Sequence, residues 1–300
     1  MIPLFDLHCD TILKLYNKNE DFYRNNLHIS LEKASLFSPY VQVLAIWSEK
    51  TLSNEEAFFK YEKIINYFEE IKRGIDQKSE NIPQFILAVE DARILNGDIN
   101  RLNTLHSNGV RILTLNWSGS SIIGGAWDTS KGLTDFGKEV VENCINIGII
   151  PDISHSSIES CEDIISICQK YGGVPIASHS NSYSVFHHKR NLNDELFTEI
   201  VKMKGLVGVC LANEHLSEKI STSSDVLNHI YHFLSLGGEN TVCLGCDFDG
   251  IENTPKDITN VSNLSSLFKM IEKSFGHEIA LKIFFENSFK FFAKRNLIFK

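Results

Sequence analysis

The sequence lacks long apolar runs and has no excess of basic residues. No stretch approaches the roughly 20 consecutive apolar residues that a membrane-spanning helix needs. The formal net charge is −9, from 29 basic and 38 acidic side chains. An acidic chain is repelled by nucleic-acid phosphates and by anionic lipid surfaces, so we expect neither nucleic acid nor a membrane as a partner.

Features of a secreted chain are also missing. The amino terminus shows no basic segment followed by an apolar, cleavable one, and the seven cysteines are odd in number and scattered. Cys243 and Cys246 have C-x-x-C spacing, but they lie in one apolar, strand-like run. Residues three apart on a strand face opposite sides, so a shared zinc ion or a disulfide is not expected there. These features predict reduced thiols and a cytoplasmic location.

No glycine-rich G-x-G-x-x-G motif follows the first apolar segment, which argues against an open dinucleotide-binding sheet. The chain instead alternates short apolar segments with helical patterns, as buried parallel strands and their crossover helices do. Eight such units predict an α/β fold, a TIM-type (β/α)8 barrel forming a single domain over residues 1–300, with an open doubly wound sheet as the alternative. The expected strands lie at 3–10, 40–47, 84–89, 110–115, 149–153, 174–177, 206–211 and 241–246, and the expected helices include 53–71, 98–108, 134–146, 157–171, 223–237 and parts of 262–295.

The first strand carries three polar residues at alternate positions. Side chains two apart on a strand share a face, so Asp6, His8 and Asp10 are expected to point the same way. On its own this pattern is equally typical of a strand end that caps the next helix. An imidazole beside carboxylates is also a group that can hold a divalent cation.

Similar residues end four more of the expected strands. In a barrel the carboxyl ends of the strands meet at one mouth, where the chemistry lies. Imidazole nitrogens with carboxylate oxygens suit zinc, with cobalt or manganese as alternatives. The pattern therefore predicts a site for two divalent ions, built from His8, Asp10, Glu90, His155 and His179, with Asp247 beside them.

Seven motifs follow one another along almost the whole chain. They are Asp6-Leu-His8-Cys-Asp10, Val89-Glu90-Asp91, Gly132-Leu-Thr-Asp-Phe-Gly-Lys-Glu139, Asp152-Ile-Ser-His155-Ser, Ser178-His179-Ser180, Lys189-Arg190-Asn191 and Gly245-Cys-Asp247-Phe-Asp249-Gly250. In sequence and in order they resemble those of the membrane (renal) dipeptidase family, the M19 metallopeptidases. That resemblance implies a TIM-type barrel with two bridged zinc ions that hydrolyses dipeptides, those with a D-residue at the carboxyl-terminal position being a candidate subset. A homodimer is a candidate assembly.

The resemblance also implies a role for each metal ligand. His8 and Asp10 would hold one zinc ion, and His155 and His179 would hold the other. Glu90 would bridge the two ions.

Three further residues would act on the substrate. Asp247 would be the acid/base residue, with Asp249 as the alternative, and Arg190 would bind the substrate carboxylate through a planar, two-point contact. Trp117 stands where family members such as the mammalian enzyme have a histidine near the scissile carbonyl, whereas some bacterial members resemble this chain in having tryptophan. Trp117 offers only an indole N–H or a stacking wall.

The expected mechanism is attack by a hydroxide bridging two zinc ions roughly 3.5–4 Å apart, formed near neutral pH because metal lowers the pKa of water to about 7. The alternative is another binuclear amidohydrolase, acting on a lactone, a phosphotriester or a cyclic amide. Many of those bridge their metals with a modified lysine, whereas strands three and four here end on Glu90 and Asn116. A non-catalytic barrel would be expected to lack a ligand, and none is missing.

The other histidines have weaker expectations. His28 lies in a mixed segment without an evident partner and is expected at the surface, whereas His187, His188 and His215 are candidates to line the pocket. The remaining four lie in expected helices as packing or surface residues: His106, His229, His232 and His277.

Overall fold

The computed structural model describes residues 1–76 and 83–298. Its centre is a parallel sheet of seven strands in the order β5-β4-β3-β2-β1-β7-β6. The strands are β1 Ile2–Asp6, β2 Phe37–Trp47, β3 Gln84–Glu90, β4 Val110–Thr114, β5 Ile150–Asp152, β6 Val207–Val209 and β7 Val242–Leu244.

Single residues join the two edges of this sheet. Ile176 pairs with Asp152 of β5, and Ala177 pairs with Val207 of β6. The sheet therefore closes into a barrel, and the strand expected at 174–177 is reduced to this short bridging segment. The fold class predicted from the sequence is confirmed.

Two glycines explain how the bridging segment reaches its neighbours. A Cβ atom at Gly208 or Gly245 would lie only 2.0 or 1.8 Å from the carbonyl oxygen of Ser178. Any side chain at either position would push this segment away from the barrel. The close approach places Ser178, and the histidine that follows it, at the barrel mouth.

The predicted helices are present with small shifts at their ends. Side chains of Thr134, Ser157 and Asn193 accept hydrogen bonds from the first turns of their helices, as N-cap residues do. Gly148 and Gly172 end two helices in the left-handed conformation that glycine adopts without a Cβ penalty. The helices are α1 Thr11–Lys18, α2 Leu31–Ala34, α3 Asn54–Asp76, α4 Arg101–Ser107, α5 Asp135–Ile147, α6 Ile158–Tyr171, α7 Asp194–Lys202, α8 Asn213–Leu216, α9 Ser223–Ser235, α10 Leu264–Phe275, α11 His277–Leu281 and α12 Asn287–Ala293.

The apolar core has two parts. The larger one lies between the strands and the surrounding helices. The smaller one uses alternate strand residues such as Phe5 and Leu7, as the interior of a barrel requires, and Phe292 of α12 packs against Phe5 at 5.1 Å. Within the described ranges, no helix is both long and apolar enough to cross a bilayer.

Strand register brings polar residues to one level at the mouth. Trp47 pairs with Glu90, Glu90 pairs with Thr114, and Thr114 pairs with Asp152 across four neighbouring strands. The carboxyl ends of these strands therefore form one floor.

Candidate metal centre

The ends of β1 and β7 form one half of the centre. Asp247 N–H donates to the His8 carbonyl at 3.0 Å, which ties the two strand ends together. His8 Nε2 then lies 3.6 Å from Asp10 Oδ2 and 3.8 Å from Asp247 Oδ1. All three side chains are buried and are close enough to share one cation.

Glu90, at the end of β3, lies between this half and a second one. Its Oε2 is 3.9 Å from His8 Nε2. Its Oε1 is 3.0 Å from His155 Nε2 and 3.5 Å from His179 Nε2. Each carboxylate oxygen of Glu90 thus faces a different imidazole group, which is the arrangement of a bridging ligand.

Hydrogen bonds fix both imidazoles of the second half. His155 Nδ1 lies 3.1 Å from the Trp117 carbonyl, which can only accept, so Nδ1 carries the proton. Ser178 Oγ donates to Asp152 Oδ2 at 2.5 Å and therefore accepts from His179 Nδ1 at 2.7 Å. Both Nε2 atoms are therefore unprotonated, and they lie 2.8 Å from each other beside Glu90 Oε1, close enough to be ligands of one cation.

The charges of the centre fit a cation. Burial raises the pKa of Glu90 and that of Asp247, and Asp10 adds to the rise at Asp247 by repulsion. Burial lowers the pKa of His155 and His179 well below the usual range, so both are neutral. The two ring nitrogens of His8 are buried and have no hydrogen-bond partner. Burial opposes protonation of His8, but the carboxylates of Asp10, Glu90 and Asp247 outweigh it and raise the pKa of His8 to about 10. A cation bound there would take the place of that proton, and imidazole nitrogens with carboxylate oxygens match the donors that divalent transition metals take.

A cavity of about 430 Å³ opens onto the centre. Arg190, only 6% exposed, lines it, and no carboxylate of the described residues forms an ion pair with its guanidinium. Trp117 forms a wall whose ring stacks on His155 at 6.2 Å and packs against Trp47 at 4.8 Å.

Two expectations about polar residues near the centre were wrong. His28 is half-buried rather than a surface residue, and its Nδ1 accepts from Asp249 N–H at 2.9 Å. Asp6 does not join the cluster of side chains around His8. Its carboxylate accepts from Cys246 N–H at 2.8 Å and from the backbone N–H of His8 at 3.5 Å.

The two acidic candidates after β7 have different surroundings. The Asp249 carboxylate accepts from Thr11 Oγ1 at 2.6 Å and from His28 N–H at 2.7 Å. Both residues line the cavity, but only Asp247 lies beside His8, with its Oδ1 3.8 Å from His8 Nε2.

Sequence reasoning missed three residues of this region. Trp47 lines the cavity at the end of β2. The rule that residues at the carboxyl ends of strands lie at the barrel mouth selected Glu90 and would also have selected Trp47. Asp152 lay inside a recognised motif, but its contact with Ser178 depends on the close packing of the bridging segment. Trp127 belongs to a glycine-rich loop that carries no periodic pattern. Among the histidine candidates, His215 lines the cavity.

The comparison with protein families agrees with this geometry. A family model described as membrane dipeptidase, peptidase family M19, matches residues 1–298. The chain belongs to this family. An uncharacterized dipeptidase of Schizosaccharomyces pombe is 30% identical over 200 residues, which are 63% of this chain and 47% of that protein. The chain therefore spans about half the length of the curated relative it matches.

Solved structures of two proteins share the fold. Dipeptidase AC, a metallo peptidase of family M19, superposes with a TM-score of 0.87 at 24% identity, covering 99% of this chain and 97% of its own. A metallo peptidase from Rhodobacter sphaeroides, liganded with a phosphinate mimic of the dipeptide L-Ala-D-Ala, gives 0.87 at 23% identity, covering 99% and 98%.

Proposed function

We propose that this protein is a metal-dependent dipeptidase whose centre holds two divalent cations, with zinc as the expected metal. The observation that carries the proposal is the position of Glu90, whose two oxygens face separate imidazole groups. His8 and Asp10 would hold one ion, and His155 and His179 the other. Membership of the M19 family supports this assignment.

Arg190 supports a dipeptide as the substrate. Burying a guanidinium without a carboxylate partner is costly, so its position favours a ligand that brings its own anion. A peptide carboxylate matches the planar donors of arginine. Because Arg190 shares one cavity with Glu90 and His155, a peptide that binds there can have its carboxylate at Arg190 and its scissile bond at the proposed centre. The ligand of the Rhodobacter relative supports peptides with a carboxyl-terminal D-residue as candidates.

Each residue would then have a defined role in hydrolysis. The two cations would polarise the peptide carbonyl and lower the pKa of water that they bind. Asp247 would accept a proton from the attacking water and deliver it to the leaving nitrogen as the C–N bond breaks. Arg190 would fix the carboxylate, and the Trp117 ring would wall the site.

The test uses the Glu90→Gln variant. An amide cannot bind two cations through two oxygens, so bound zinc should fall from about two per chain to one or fewer, and dipeptide turnover should be lost. Zinc is measured by mass spectrometry after dialysis. Glu62→Gln, at an exposed site on α3, is the matched control.

Substrate class is tested on the wild-type protein with L,L- and L,D-dipeptides against lactones. Full zinc content and turnover in Glu90→Gln, or cleavage of lactones alone by the wild type, would refute the proposal.

A further inference from the structure

Three aromatic rings form an arc beside Arg190. His188 lies in the middle, with its ring centroid 5.9 Å from that of Trp127 and 4.7 Å from that of His215. The His188 Nδ1 atom accepts a hydrogen bond from Arg190 N–H at 3.3 Å, so the arc is attached to the arginine backbone. Trp127 and His215 face the cavity on the two sides of His188.

The arc is also attached to the metal centre. The backbone N–H of Trp127 donates to the His155 carbonyl at 2.9 Å, and Ala126, just before it, pairs with Ser156. The loop that carries Trp127 is held closely, because a Cβ at Gly125 would lie 2.2 Å from the Lys131 carbonyl. The backbone of Trp127 is therefore held beside His155, and Trp127 lines the same cavity as Arg190.

This location corresponds to one part of the substrate. In a dipeptide the carboxyl-terminal residue lies between the scissile bond and the free carboxylate. If the bond lies at Glu90 and His155 and the carboxylate at Arg190, the side chain of that residue would branch off between these two points. Trp127 and His215 line the cavity that holds both points, and His188 packs between their rings.

The chemistry of the arc selects the side chain. Burial lowers the pKa of both histidines, that of His215 to about 2, so the rings are uncharged and present flat, mainly apolar surfaces. Aromatic rings favour offset or edge-to-face contact with other rings. Among the residues that line this cavity, the basic side chains are Arg190, which the substrate carboxylate would occupy, and Lys14, while the carboxylates of Asp128 and Glu214 belong to the neighbours of Trp127 and His215 in the chain.

We propose that the Trp127–His188–His215 arc is the subsite for the carboxyl-terminal side chain and that it makes the enzyme prefer dipeptides with an aromatic carboxyl-terminal residue. This inference rests on the proposed dipeptidase function and adds the identity of the residue that is released. Trp127 is its main specificity-determining residue, because it presents the largest ring to the cavity.

The experiment compares kcat/KM of the zinc-loaded full chain for Ala-Phe, Ala-Ala, Ala-Asp and Ala-Lys, each in L,L and L,D forms. Wild type should cleave Ala-Phe at least about tenfold better than Ala-Ala, the size of discrimination that an apolar pocket achieves. Trp127→Ala should reduce the Ala-Phe to Ala-Ala ratio to near one, mainly through KM for Ala-Phe. Trp127→Phe should restore most of the ratio.

Controls separate this subsite from general effects. Tyr231→Ala removes an aromatic ring that is 65% exposed on α9, away from the cavity, and should leave the ratio unchanged. Zinc content and melting temperature show whether each variant is folded and loaded.

Two results with the wild-type protein would overturn the subsite but leave the dipeptidase function standing. They are equal cleavage of all four dipeptides, and a preference for Ala-Lys, which would assign the selectivity to the exposed carboxylate of Glu214 at the rim. An unchanged ratio in Trp127→Ala also overturns it. Absence of any dipeptide cleavage by zinc-loaded wild type overturns both proposals.

Discussion

Asp152 controls the proton on a histidine that it does not touch. Its Oδ1 accepts from Ser154 N–H at 3.0 Å and from Ser178 N–H at 2.9 Å. Its Oδ2 accepts from Thr114 Oγ1 at 2.7 Å and from Ser178 Oγ at 2.5 Å. Because the Ser178 proton is directed at Asp152, the serine oxygen can only accept from His179 Nδ1, and His179 Nε2 keeps its lone pair.

The substitution Asp152→Asn reverses this order with almost no change of shape. The amide oxygen can keep the two backbone N–H donors, so the amide nitrogen must replace Oδ2. That nitrogen donates to Ser178 Oγ, whose proton then turns to His179 Nδ1. His179 Nε2 becomes protonated, and its N–H is directed at the place where a cation would bind.

Two magnitudes follow from these contacts. Hydrogen bonds to a charged group contribute about 1.5–3 kcal/mol and neutral ones about 0.5–1.5, so four bonds that lose their charge should cost roughly 4–6 kcal/mol of unfolding free energy. Loss of a residue that orients a metal-binding histidine lowers metal affinity about 10- to 100-fold. We therefore expect Asp152→Asn to fold with reduced stability and to bind zinc at least about tenfold more weakly.

Urea unfolding of the metal-free protein measures the first quantity, and competition with a zinc chelator measures the second. Glu62→Gln is the control for loss of one carboxylate on the surface. Wild-type zinc affinity in a destabilised Asp152→Asn protein would show that this carboxylate does not set the His179 tautomer, and the reasoning would fail.

Two further predictions concern single side chains. Arg190→Lys keeps the charge but loses the planar two-point contact with a carboxylate. Steady-state kinetics should therefore show a KM for dipeptides that is at least about tenfold higher. An unchanged KM would show that Arg190 does not bind the substrate. Burial lowers the pKa of His229 to about 4, and its Nδ1 accepts from Ser182 N–H at 3.0 Å. The unfolded chain takes up that proton near pH 6.5, so stability is full above pH 6.5 and falls by about 1.4 kcal/mol per unit as the pH drops toward 4. Urea unfolding at pH 7 and pH 5 should show a loss about 2 kcal/mol smaller for His229→Gln than for wild type, and equal losses would contradict the assignment.

The sequence predicted the fold because its local and periodic features agree with one another. Buried parallel strands need continuous apolar residues, and the helices between them carry N-cap residues such as Thr134 and Ser157 together with terminal glycines. The strand at 174–177 was predicted too long, because closure there depends on Gly208 and Gly245 letting a carbonyl approach closely. That packing involves residues far apart in the chain and has no local pattern.

The sequence also predicted which residues come together in the candidate centre. The rule that strand ends meet at one mouth places His8, Glu90, His155 and His179 together, and the structure does bring them together. Contacts behind these residues were not predictable, because the partner of each is set by tertiary structure. His28 illustrates this point, since its partner Asp249 lies 221 residues away.

Backbone conformation explains why strand alternation misplaces side chains at the mouth. His155, Asp247, Asp249 and Asp91 all have positive φ, from 59° to 79°, although none is a glycine. Holding each such residue in this backbone conformation costs roughly 1–3 kcal/mol of folding stability, so the conformation persists only where the surrounding contacts hold it. The positive φ turns a side chain off the two-residue alternation of the strand before it. Glycine would relieve the strain at His155 and Asp247 but would remove an imidazole and a carboxylate from the proposed centre. The strain and the proposed chemistry therefore occupy the same positions.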